Sequence, residues 1–145
     1  MNPRVRSRLL SVCAWCLLAV GIEVALYFFY FAHEARFHWF THFFAGGALA
    51  LLVMTLIAWR TRRPVPYPLV WPILGHLVAM FPDFLFEGGI AHRRWMDVFL
   101  GHLSIHFVPG RNWTWYAVFL VSLGLYLWTI DRRTEAEGRS MTTPA

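Results

Sequence analysis

The stretch WFTHFFAGGALALLVMTLIAW, Trp39 to Trp59, decides the fold. Apart from His42 it holds no ionisable side chain. A helix of about 20 apolar residues crosses the hydrocarbon of a bilayer. Its polar and apolar residues do not alternate, as those of a membrane β-strand would. In lipid a lone segment must satisfy its own backbone hydrogen bonds, which only a helix does. Working outward, Leu9–Ala32, Tyr67–Phe86 and Trp113–Ile130 read the same way.

The whole chain agrees: 145 residues, 58% hydrophobic and 14% charged. A soluble domain carries about 25% charged residues, so a soluble class is excluded. We expect an all-α membrane bundle of four transmembrane helices. One transmembrane domain covers residues 1–130, and residues 131–145 form a polar, frayed cytoplasmic tail. The first run is too long for a signal-peptide core and lacks a small-residue cleavage site, so it reads as a retained helix. Cys13 and Cys16 lie inside it and read as packing residues, since an embedded thiol stays protonated.

A fifth apolar stretch, Trp95–Val108, is shorter and contains Asp97, His102 and His106. It predicts a short interfacial or re-entrant helix. The arginines support this. If four runs cross and the N-terminus is cytoplasmic, nine arginines lie inside and four outside; a fifth crossing gives seven and six. The positive-inside rule favours four spans with both termini cytoplasmic. The net charge of +5 comes from arginines at helix ends, which suit topology and anionic headgroups. The expected partner is therefore the lipid bilayer and not nucleic acid; oligomeric state is not encoded legibly. Trp39, Trp59, Tyr67, Trp71, Trp95, Trp113, Trp115, Tyr126 and Trp128 read as interfacial belts. Arg60–Pro66, Gly88-Gly89 and Pro109-Gly110 read as turns.

All seven histidines fall between positions 33 and 106. In the four-span topology all but the deeper His76 gather at the outer side with Asp83 and Asp97. Glu34, His38 and His42 share a helix face, as do His102 and His106, and as do His76 and Asp83. Histidine and carboxylate are the usual ligands of zinc and related metals. Ionisable groups inside a membrane are costly and commonly mark function. Glu23, within the first helix, reads either as a neutral acid hydrogen-bonded across the bundle or as a carboxylate serving the outer site. Ala45-Gly46-Gly47 permits close helix approach beside His42. Arg93-Arg94 reads as an interfacial anchor or an anion clamp.

Three motifs, Thr41-His42-Phe43-Phe44-Ala45-Gly46-Gly47, Gly75-His76 with Phe81-Pro82-Asp83-Phe84, and Ala91-His92-Arg93, resemble those of the small bacterial membrane-bound metal-dependent hydrolases. The resemblance covers about Thr41 to His106. It implies His42, Asp83 and His92 as ligands and a place in the bacterial cytoplasmic (inner) membrane. Two elements differ: Phe84-Leu85-Phe86 stands where the family has a second aspartate, and the next histidine after His92-Arg93 is His102. His102 or Asp97 would then substitute.

The expectation is a hydrolase using a divalent metal, zinc by preference, on a lipid or envelope substrate at the outer face. The metal ligands would be His42, Asp83, His92 and His102, with His38 and His106 in reserve. Asp97 or Glu23 would act as general base, and Arg93 and Arg94 would bind substrate. The alternatives are a haem-binding electron carrier, with His38 or His42 opposite His102 or His106, and a non-enzymatic membrane subunit or metal carrier.

Overall fold

The computed structural model describes residues 3–29, 35–110 and 112–142. It contains α1 (Pro3–Phe29), α2 (Ala35–Thr61), α3 (Val70–Glu87) and α4 (Asn112–Thr142). Each holds a segment long and apolar enough to cross a membrane: Val5–Ala25, Trp39–Thr61, Val70–Glu87 and Asn112–Arg132. No strand occurs among the described residues. The four-span, all-helical reading of the sequence holds.

α2 is the centre of the bundle and packs on both α3 and α4. Small residues set the closest approach. A methyl group on Gly46 would fall within the backbone of Gly75 and reach 2.8 Å from the His76 amide nitrogen. A methyl on Gly75 would likewise collide with Gly46. Glycine at both positions lets the two backbones touch, as in other tight membrane crossings. Nearer the Arg60–Arg63 end, Leu51, Met54, Ala58, Val65 and Tyr126 form an apolar cluster. α1 stands apart. Leu17 is 74% and Phe28 67% exposed, and such surface belongs against lipid. Cys13 and Cys16 also lie on its exposed surface, so they do not pack in the core.

Three sequence expectations change. Trp95–Val108 is not one helix. It forms two short 3-10 turns, Arg94–Val98 and Ser104–Phe107, separated by a tight reversal in which Leu100 and Gly101 have φ of 57° and 66°. The polar groups of this stretch bond to its own backbone instead of continuing a helical ladder. The polar tail is not frayed from Asp131, because α4 continues to Thr142. The aromatic belt keeps Trp59, Tyr67 and Trp113, all more than 60% exposed, but Trp39 and Tyr126 are buried. Trp39 stacks on Phe43 and meets Tyr27 edge-on, so aromatic packing holds it inside.

Candidate functional site

α2 begins, α3 ends and α4 begins at the same end of the bundle. The 88–110 connection folds over that end. Gly88 donates its N–H to the Phe84 carbonyl at the end of α3, and Gly89, whose N–H goes to the Phe86 carbonyl, turns the chain with φ of 87°. The connection is then tied to α4 and to itself, and α2 is tied to the start of α4. Trp115 on α4 donates its indole N–H to the Ile105 carbonyl at 3.1 Å. Thr41 on α2 donates its hydroxyl to the Asn112 side chain at the start of α4. Asp97 accepts from the Leu103 N–H at 2.7 Å, the Ser104 N–H at 3.1 Å and the Ser104 hydroxyl at 2.9 Å.

Three histidines surround Asp83, and a fourth, His106, stands beside two of them. The Nε2 atoms of His42, His92 and His102 stand 3.2, 3.3 and 3.2 Å from the Asp83 carboxylate. His42, His102 and Asp83 are fully buried. His42 and His102 stack face to face with ring centroids 4.5 Å apart, and His106 meets His42 edge-on at 5.2 Å. His92 is half-buried and stacks on Phe86. Two overlapping triplets, Asp83–His92–His102 and His42–His102–His106, each present ligand atoms within 4.8 Å of one another.

His102 fixes the electrostatics. Its Nδ1 donates to the Ala79 carbonyl at 3.1 Å. A carbonyl only accepts, so Nδ1 carries the proton, and in neutral imidazole Nε2 is then a bare lone pair. That lone pair faces a carboxylate oxygen. Two acceptors at 3.2 Å require a cation between them, either a proton or a metal ion.

The other expected site residues fall elsewhere. The Asp97 carboxyl is held below its usual range, first by the Ser104 hydroxyl and then by the backbone N–H groups of Leu103 and Ser104. Those bonds occupy both of its oxygens in closing the turn that carries His102. Glu23 pairs with His76 Nδ1 at 2.7 Å, which is the across-the-bundle reading. His76 points away from Asp83's neighbours toward α1, and sequence spacing did not reveal that partnership. The signals were an acidic residue in the apolar run of α1 and a histidine set deeper in its span than the others. Arg93 and Arg94 are exposed beside His92. The His38 side chain lies outside the described residues, as do His33 and Glu34.

Fold and site together define a four-span membrane protein with a buried histidine–carboxylate cluster at one end. Comparison with family models, curated proteins and solved structures returns no match to the chain.

Proposed function

We propose that this cluster binds one divalent metal ion, with zinc the best fit to its donors, and hydrolyses an ester or phosphate bond of a lipid or envelope compound. The observation that carries the reading is the spacing of three imidazole nitrogens around Asp83. A proton-mediated imidazolium–carboxylate contact closes to about 2.7–2.9 Å. Ligands about 2.0–2.1 Å from a tetrahedral zinc stand about 3.3 Å apart. The contacts at 3.2 to 3.3 Å match the second spacing. The Ala79 carbonyl behind His102 also suits a ligand whose far nitrogen is pinned to orient the near one.

His42, Asp83, His92 and His102 are the ligands in this reading. These residues would hold the ion, which would supply a coordinated water with a pKa of about 7 and Lewis-acid polarisation of the scissile group. His106, half-buried at the edge of the cluster, would be the group placed to accept a proton. Arg93 and Arg94 grip an anionic headgroup at the mouth. A haem fits less well. Axial ligands must lie on opposite faces of the macrocycle, and His42 stacked on His102 leaves no slot between them. A metal carrier with the same ligands is the reading that remains if turnover is absent.

The test is elemental analysis of purified protein beside hydrolysis of lipid-linked phosphates and esters. His42→Ala should lose both metal and turnover. His106→Gln should keep the metal and lose turnover by about 100-fold or more, the usual contribution of a positioned base. A metal-saturated protein that hydrolyses none of these substrates sinks the enzymatic half.

The arginine split also leads us to propose that the cluster faces outward and both termini face the cytoplasm. Alkaline phosphatase fused at Gly88 should be active, and the same reporter at the C-terminus inactive. The opposite pattern overturns this orientation.

A further inference from the structure

A second polar group lies apart from the cluster, in the cavity between α1 and the α2–α3–α4 bundle. The cavity has a volume of about 1060 Å³, at the upper end of the about 300–1,000 Å³ usual for small-molecule sites. It runs along α2 from Trp39 to Met54, which at about 1.5 Å per residue is about 22 Å. Its walls are nearly all apolar, and it lies among the membrane-spanning segments. Tyr126 lines it beside Val65, and Glu23 and Trp39 both line the opposite pole.

That pole is incomplete. Glu23 Oε2 is used by His76, but Glu23 Oε1 is buried without a hydrogen-bond partner. The Trp39 indole N–H is also buried and unpartnered, and Trp39 as a whole is 8% exposed. The His76 ring joins the two, meeting Trp39 edge-on at 5.0 Å. An unmet buried donor or acceptor costs about 1–3 kcal/mol. Here one acceptor and one donor are left unmet at the end of a long apolar channel.

We propose that this cavity holds a single-chain lipid alcohol, with its hydroxyl between Glu23 and Trp39. A hydroxyl donates one hydrogen bond and accepts others. It can donate to Glu23 Oε1 and accept from the Trp39 indole. An ether lacks the donor. A fatty-acid carboxylate likewise has no hydrogen to donate to Glu23 Oε1. The alkyl chain follows the apolar channel toward Val65 and Ile130. The site is independent of the metal cluster.

Native mass spectrometry of the full chain in detergent tests this with 1-hexadecanol, its methyl ether and palmitate. The alcohol should bind about tenfold more tightly than either competitor. Trp39→Phe and Glu23→Leu should abolish the preference. Glu23→Gln should retain it, because the amide carbonyl still accepts. Metal content measured on the same samples should match the unmodified protein, which separates lost lipid selectivity from a disturbed cluster or fold. Equal binding of alcohol and ether by the unmodified protein overturns the proposal. So does selectivity that survives both Trp39→Phe and Glu23→Leu, preferential binding of palmitate, or a lipid-free dimer whose partner fills the cavity. If the protein carries no metal yet prefers the alcohol, the hydrolase reading fails and this one stands.

Discussion

Asp83→Ala is expected to lower metal affinity by on the order of 100-fold or more. Outer-shell partners of a metal commonly contribute 10- to 100-fold, and Asp83 would be a direct ligand. Among the described residues it is also the carboxylate that touches three histidines at once. Its removal leaves His42, His92 and His102 with no shared anion in a buried space. Asp83→Asn is the sharper control, because the amide keeps the shape and loses the charge. Isothermal titration with zinc after chelator treatment measures the effect. If both variants bind zinc as the unmodified protein does, Asp83 is no ligand and the ion is held by other groups.

Gly46→Ala carries the second large effect, although the residue touches no ligand. Its new methyl group would meet backbone, which cannot rotate away as a side chain can. Overpacking of this kind typically costs 1–3 kcal/mol, and we expect about 2–3 kcal/mol here. Relief requires α2 and α3 to separate at Gly75, which moves His42 away from Asp83. A displacement of about 1 Å can reduce turnover by about 100-fold. Metal binding and thermal stability in detergent should therefore fall together, and Gly75→Ala should reproduce both losses. Gly124→Ala is the internal comparison, since nothing lies within 4 Å of its added methyl. Equal melting temperatures for Gly46→Ala and Gly124→Ala would contradict the described crossing.

The spans were legible because each is a continuous apolar run, and the physics of lipid leaves one backbone solution. The cluster was legible in part for a similar reason. Asp83 sits at the end of a hydrophobic span where few carboxylates belong, and His42 stands near the start of another; the helix-face spacing of His102 and His106 did not apply, because their stretch is not a helix. What the sequence concealed is irregular structure. Nothing in the periodicity of Trp95–Val108 signals that Asp97 will bond to Leu103 and Ser104, or that Leu100 will adopt a left-handed conformation. Those choices depend on contacts with α2 and α4. Trp39 misled for a related reason. At a span terminus an indole reads as an interfacial anchor, and only the rings of Tyr27 and Phe43 reveal that it is inside. The Glu23–His76 pair joins residues 53 positions apart, beyond the reach of any local pattern.

The order of the cluster's parts along the chain has a consequence for biogenesis. His42 arrives on the second span, Asp83 on the third, and His92, His102 and His106 in the connection that follows. Trp115, which holds that connection, and Asn112, which takes the bond from Thr41 on the second span, belong to the last span. Synthesis proceeds from the N-terminus, so the polar site cannot close until the final helix has entered the bilayer. The earlier spans must insert on hydrophobicity alone. If the completed pocket takes an ion, as proposed, that ion would add stability only to the fully inserted form, a last step of maturation and a seal on correct topology.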